Sequence, residues 1–234
     1  MSIAENISHI QDLKGAAAEK SGRKPEDVLL VAVTKLHSPD EIKEAIDAGI
    51  TDIAENKVQE IMDKYDKVPE VNWHLIGHLQ RNKVKYIIDK VKMIHSVDSF
   101  KLAEEINKRA AQKDLTMDIL IQVNSAEEES KFGIGVDEVA SLVDEICENC
   151  PNIRIRGLMC IAPYADDTNE VRPYFAEVKK IFDSYADDSR ENIDFKYLSM
   201  GMTNDFEVAV EEGSNLIRVG TAIFGKRDYR SEEK

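Results

Sequence analysis

Three cysteines and one tryptophan are all that 234 residues hold of either type. Three thiols are too few for a disulfide framework at this length, so a reduced, cytosolic compartment is expected. No stretch approaches about 18 uninterrupted apolar residues, which argues against a helical membrane span. The opening MSIAENISHIQDLKG sets Glu5 and Asp12 among spaced isoleucines. It has the form of neither a signal peptide nor an Arg-rich transit peptide. Basic residues are outnumbered 31 to 45, for a net charge of −14. Phosphate-rich partners, nucleic acid or an anionic membrane surface, would be repelled. The basic window 81–92 reads as a solvated helix face. No Ser/Gly-rich linker or long charge block marks a boundary, so residues 1–234 read as one domain. A hydrophobic fraction of 42% suffices for its core.

Metal-ligand spacing is also scarce. Cys147 and Cys150 form a C-x-x-C, but the pair closes a helical pattern (Val139, Leu142, Val143, Ile146) and runs into Pro151. A redox pair should open a helix after a strand, and a zinc site usually needs a second pair, so a structural role is expected. His9, His37 and His95 share no metal spacing, and no metal is expected.

What the chain has instead is a repeated alternation of strand and helix. Residues 28–34 (VLLVAVT) are apolar and β-rich; SPDEIKEAIDAG follows with a capping box at Ser38 and Glu41, Pro39 at the first helical position and Gly49 as a stop. Further apolar runs lie at 52–54, 73–76, 93–97, 118–123, 155–161, 195–199 and 216–219, with amphipathic segments between them. Eight strands alternating with helices imply parallel pairing through right-handed crossovers, hence an α/β (β/α)8 TIM barrel. An open doubly wound sheet is the competing architecture, but the G-x-G-x-x-G fingerprint after its first strand is absent. Ile3, Ile7, Ile10 and Leu13 repeat as an extra amphipathic N-terminal helix on the barrel's outside or bottom.

In such barrels the working groups sit at the C-terminal ends of the strands. Lys35 ends the first strand, where a desolvated amine can act as a nucleophile toward an aldehyde; a rim salt bridge with Glu55 or another acid is the plainer alternative. After the seventh strand come Ser199-Met200-Gly201-Met202-Thr203-Asn204-Asp205, hydroxyls and a glycine leading into a helix start. The eighth is followed by Gly220 and Thr221, with Arg218 just before them. Loops seven and eight are the usual phosphate cradle of this architecture. Asn56 after the second strand either binds a ligand oxygen or caps a helix. His78 and Asn124 are weaker candidates, and His74, alternating with apolar neighbours, reads as a satisfied barrel-layer residue. Glu127-Glu128-Glu129 reads as a solvated loop, and Lys131-Phe132-Gly133 as a segment covering the mouth.

An amine, an anion cradle and a neighbouring arginine together suit a phosphorylated aldehyde. The segments VAVTK (31–35), AENKVQE (54–60), WHLIGHLQRNK (73–83), SKFGI (130–134), RGLMCIAP (156–163) and LSMGMTNDFEVAVEEGSNLIRVGTAIFG (198–225) resemble the pyridoxal 5′-phosphate homeostasis protein family over essentially the whole chain. The resemblance implies one barrel of the alanine racemase N-terminal type with pyridoxal 5′-phosphate (PLP, the vitamin B6 coenzyme) at the strand C-termini. It implies that Lys35 forms the Schiff base (internal aldimine), Arg218 faces the pyridine nitrogen, Asn56 lies beside the ring, and Ser199, Met200, Gly201, Thr203, Gly220 and Thr221 belong to the phosphate-binding segments. Ala54, Lys57 and Thr203 depart from the commonest pattern, which has glycine, an aromatic and serine there.

An arginine stays charged and only donates, so Arg218 should leave the ring nitrogen unprotonated and weaken the cofactor as an electron sink. Racemases resembling this barrel carry a β-rich second domain with a tyrosine acid/base, for which this chain leaves no room after Gly225. The expectation is therefore a cytoplasmic, monomeric PLP carrier rather than an enzyme, one that limits free PLP and supplies PLP-dependent apoenzymes. A stand-alone amino-acid racemase, using Tyr164 or Tyr174, and a Schiff-base aldolase for a sugar phosphate are the alternatives.

Overall fold

The structure is a computed structural model that describes residues 1–126 and 132–225; Glu127-Glu128-Glu129 and Lys131 lie outside the described residues. Eight strands run β1 (Leu29–Val33), β2 (Asp52–Glu55), β3 (Asn72–Leu75), β4 (Met93–Val97), β5 (Met117–Val123), β6 (Ile153–Cys160), β7 (Ile193–Ser199) and β8 (Leu216–Val219). Each pairs in parallel with the next, and β8 pairs with β1, closing the barrel. That closure excludes the doubly wound sheet. The helices are α1 (Ile3–Lys20), α2 (Pro39–Asp47), α3 (Val58–Lys64), α4 (Val84–Ile87), α5 (Phe100–Ala111), α6 (Val139–Asn149), α7 (Arg172–Asp183), α8 (Phe206–Glu211) and α9 (Thr221–Phe224). None among the described residues is long and apolar enough to cross a membrane.

The strands are buried on both faces because one face fills the barrel and the other meets the helices. Ile53, Leu75, Ile94, Ile119 and Ile155, all fully buried, join the helix layer through Ile42, Ile61, Ile87, Ile106 and Ile146 in one core. The expected capping box opens α2: Glu41 N donates to Ser38 Oγ, and Ser38 N donates to Glu41 Oε2 at 2.8 Å. A second one, Ser2 with Glu5, opens α1. The window 81–92, read from the sequence as a helix face, holds one 3₁₀ turn (Arg81–Lys83) and the four residues of α4 before β4 begins at Met93.

Among the described residues only the four-residue α9 follows β8, too small to cover the seam between β8 and β1. The amphipathic α1 covers it, packing against α8, α9 and α2. Asn6 Nδ2 donates to Ile223 O at 2.8 Å, and buried Lys14 donates to Val28 O at 2.8 Å. The extra N-terminal helix thus sits in the outer ring.

Between β6 and β7 the register shifts at Gly157, whose φ of +138° lies in the left-handed region. A Cβ there would stand 2.0 Å from Tyr197 O. Gly157→Ala is expected to cost about 3 kcal/mol or more, read as a lower denaturation midpoint; a loss under about 1 kcal/mol would show that the strands can spread.

Candidate active site

A cavity of about 680 Å³ opens at the C-terminal ends of the strands. Val33, Ile76 and Ile161 give it apolar walls, and Lys35, Asn56, Thr203, Arg218, Gly220 and Thr221 supply its polar groups. Ser199, Met200 and Gly201 are not part of its lining. They form the layer behind it: Ser199 is fully buried, Met200 N donates to Leu216 O at 3.1 Å, and Gly201 O accepts from Arg218 N at 3.0 Å. Gly201 holds φ +90°, and a Cβ would lie 2.8 Å from Phe206 Cα, so a glycine lets α8 approach this wall. His78 lines the rim and stacks on Phe132 with ring centroids 4.2 Å apart. Tyr164 also lines the rim, 79% exposed, whereas Tyr174 packs against the core and Asn124 is not among the lining residues.

Lys35 is flanked by a clamp of which the sequence displays only the Glu60–Lys64 helix pair. Directly after it, Leu36 takes φ +67°, a conformation leucine rarely adopts. Leu36 N donates to Glu60 Oε2 at 2.7 Å. Lys64, reaching inward from α3, donates to Thr34 O (2.9 Å), Glu55 Oε1 (2.8 Å) and Glu60 Oε2 (2.9 Å). Thr34 Oγ1 also donates to Glu55 Oε1 at 2.7 Å. The residues on both sides of Lys35 are thus tied to one buried cation. Glu55 pairs with Lys64.

Burial pushes the Glu55 carboxyl up to about 7, against the pull of Lys64 and Thr34. An unfolded glutamate titrates near about 4.3. Between those values the folded state binds the extra proton, so this group's contribution to stability falls as pH rises from about 4.3 to about 7 and is level above. The change is on the order of 3 kcal/mol. Urea denaturation across that window should give a flatter profile for Glu55→Gln than for the native chain. Equal slopes would refute the shift.

Arg218 lies deeper. It registers with Val31 on the adjacent strand, four residues before Lys35. Its guanidinium donates to Ser199 Oγ and, at 2.9 Å, to Cys160 O. Both acceptors are neutral, so a buried cation faces the cavity with no directly bonded carboxylate among the described residues. Burial lowers it to about 10, which leaves it charged at neutral pH.

Loops seven and eight close the far wall. Met202 N donates to Asp205 Oδ1 at 2.6 Å and Phe206 N to Met202 O at 2.9 Å, a tight turn that carries Thr203 to the cavity. Gly220 caps α9, its carbonyl accepting from Ile223 N at 2.9 Å and Phe224 N at 3.0 Å, and the helix itself supplies no acceptor for the N–H groups of Thr221 and Ala222. Gly77 closes the β3 side: a Cβ there would stand 2.2 Å from Asn56 O. The cavity therefore combines an amine near its mouth, a charged donor at depth, and hydroxyls and backbone donors along one wall.

Fold and site define a small-ligand barrel of the kind that forms the first domain of alanine racemases, and residues 6–228 match the family model "Alanine racemase, N-terminal domain". An alanine racemase of Clostridium difficile shares the fold at 14% identity and TM-score 0.72, with 97% of this chain covering 57% of that one. Nearer relatives match end to end. A pyridoxal phosphate homeostasis protein of Aquifex aeolicus is 40% identical over 98% of this chain and 100% of its own, and one of Escherichia coli K12 is 37% identical over 97% of each. PipY of Synechococcus elongatus PCC7942, solved with PLP bound, is 31% identical with TM-score 0.81, covering 96% of this chain and all of its own. The chain belongs to the pyridoxal phosphate homeostasis protein family.

Proposed function

We propose that the cavity holds PLP and that the protein serves intracellular PLP homeostasis as a carrier without efficient catalysis. The observation that carries this reading is that Lys35, Arg218, Thr203, Gly220 and Thr221 line one and the same cavity. Its volume suits a small cofactor. A buried arginine bonded only to neutral acceptors suits a ligand that presents an acceptor atom. When bound, PLP supplies an aldehyde that condenses reversibly with an amine and a ring that draws electrons from the attached carbon.

The positions of the chain's own residues support the roles that the family resemblance implies. With PLP bound, Lys35 would offer its amine to the aldehyde; Arg218 would donate to the ring nitrogen and, having no acceptor, would keep that nitrogen unprotonated. Thr203 and Thr221 would hold the phosphate, with Ser199, Met200 and Gly201 in the layer behind the cavity wall. Asn56, pressed against Gly77, would border the ring. Because Arg218 leaves the ring a poor electron sink, the reading is of holding rather than turnover. It extends to a cytoplasmic monomer that passes PLP to PLP-dependent apoenzymes; the open rim, with Leu36, Phe132, Tyr164 and Met202 exposed, suits release.

Tyr164 on the cavity lining supports a second reading, racemisation with Lys35 and Tyr164 as the two proton-transfer groups. An absorption scan near ~420 nm with and without added amino acids, followed by chiral analysis, separates the two. A coloured protein that leaves the amino acids' configuration unchanged supports the carrier. Rapid loss of enantiomeric purity refutes it, and a colourless protein refutes both.

A further inference from the structure

Below Arg218 the barrel interior carries, beside the apolar Met93, Leu120 and Met159, a line of hydrogen-bonded polar groups contributed by five strands. Arg218 Nη1 donates to Ser199 Oγ. Ser199 Oγ lies 3.1 Å from His95 Nδ1, His95 Nε2 lies 2.8 Å from His74 Nδ1, and His74 Nε2 lies 2.9 Å from Asp52 Oδ1. Asp52 opens β2 at the barrel's N-terminal face, where Lys92 Nζ reaches the same oxygen at 3.3 Å. None of the five linked residues is more than 3% exposed.

The carboxylate end decides the direction of every bond. A carboxylate has acceptors and no donor, so His74 carries its proton on Nε2 and gives it to Asp52. A neutral His74 then has a bare Nδ1, which accepts from His95 Nε2, and a neutral His95 has a bare Nδ1, which accepts from Ser199 Oγ. Ser199 keeps its lone pairs for Arg218, which has donors and no acceptor. The opposite polarity would leave Asp52 facing a bare nitrogen. Burial lowers both imidazoles, His95 well below its ordinary value, so each is a neutral link with one donor and one acceptor. Burial alone would raise Asp52, but the bonds from His74 and Thr51 and the charge of Lys92 keep it below the usual carboxylate range.

We propose that Asp52, His74, His95 and Ser199 form a positioning relay for Arg218, in which a carboxylate at the barrel floor fixes, through two imidazoles of set tautomer, the one hydroxyl that receives the guanidinium. Ser199 spends its proton inside the barrel and has none to offer a ligand. With Nη1 held by Ser199 and Nη2 by Cys160 O, the guanidinium plane has one orientation, and its remaining N–H groups are left for the cavity it lines. What Arg218 then meets rests on the PLP reading above; the relay itself belongs to the protein alone.

The test begins on the cofactor-free protein, labelled with ¹⁵N. Near neutral pH, His74 and His95 should each show a protonated Nε2 and a bare Nδ1, and Arg218 should show separate, slowly exchanging Nη–H signals. Asp52→Ala should scramble the tautomer of His95 and average the Arg218 signals, although Asp52 touches neither residue. Asp52→Asn, which keeps an acceptor oxygen, should restore both. Should Asp52→Ala fail to fold, Ser199→Ala reads the relay from the other end, by loss of the single tautomer at His95. A proton on Nδ1 of either histidine, or Arg218 signals indifferent to Asp52→Ala, overturns the proposal. PLP uptake adds a second arm: Asp52→Ala should bind about tenfold more weakly, with Asp52→Asn near the native value, and equal affinities would mean that the relay positions nothing. Failure of the native protein to take up PLP would sink the PLP reading, leaving the tautomers and Arg218 signals to decide the relay.

Discussion

Lys35→Ala is expected to abolish covalent attachment of PLP and to weaken its retention by at least about a hundredfold, roughly 2.7 kcal/mol. The reason is chemical. Arg218, Thr203, Thr221 and the N–H groups of α9 offer hydrogen bonds and charge, and these survive the substitution; none of them is an amine that can condense with an aldehyde. What remains is a phosphate-anchored complex without the ~420 nm band. Hydride reduction followed by mass spectrometry should place one cofactor mass on the native peptide that contains residue 35 and none on the variant. Two other amines stand nearby on the chain. Lys57 is exposed at the start of α3, and Lys64 is buried and already donates to three oxygens. Adduct on either, or an unchanged band in the variant, would overturn the assignment of Lys35.

The part of the fold legible in the sequence was the part set by local periodicity. Apolar runs spaced by capped amphipathic segments gave eight strands, and with them the end of the barrel where Lys35, Asn56 and Arg218 gather. Alternation does not say which of two neighbouring hydroxyls faces the ligand. Ser199 and Thr203 read alike in a loop, yet Ser199 still belongs to β7 and points into the barrel, while Thr203 lies beyond it on the cavity. The buried line from Asp52 to Arg218 was equally hidden. His74 registers with Ala54 and with Met93, and His95 is a further two residues along β4. Only the stagger of a closed barrel stacks these residues into a chain. The clamp on Lys35 was half visible: Glu60 and Lys64 are an ordinary i, i+4 helix pair, but nothing local says that this pair turns inward to Thr34 and Glu55.

That clamp should make Lys64 one of the least replaceable residues outside the cavity. Lys64→Met keeps the length and apolar stem of the side chain and removes only the charge and its donors. Glu55, fully buried, would then face Glu60 with no cation between them, and Thr34 O would lose its partner. Breaking a buried pair by removing one member costs about 3–5 kcal/mol, because the survivor stays desolvated. The loss should depend on pH. Removing Lys64 removes an attraction that lowers Glu55, so Glu55 rises further above its already elevated value and takes up a proton more readily. The deficit should therefore be largest above pH 7 and shrink as the pH falls toward about 5. Adding Glu55→Gln to Lys64→Met should recover part of the stability, since a neutral amide in that position no longer opposes Glu60. Function should suffer beyond stability: with Thr34 and Glu60 released, the left-handed turn at Leu36 loses its support, and Lys35 no longer has one position from which to meet an aldehyde. Denaturation curves at pH 5 and pH 8, with PLP uptake measured on the fraction that stays folded, test both halves. A loss under about 1 kcal/mol at pH 8, or unaltered uptake, would show that the loop after β1 holds its shape without Lys64.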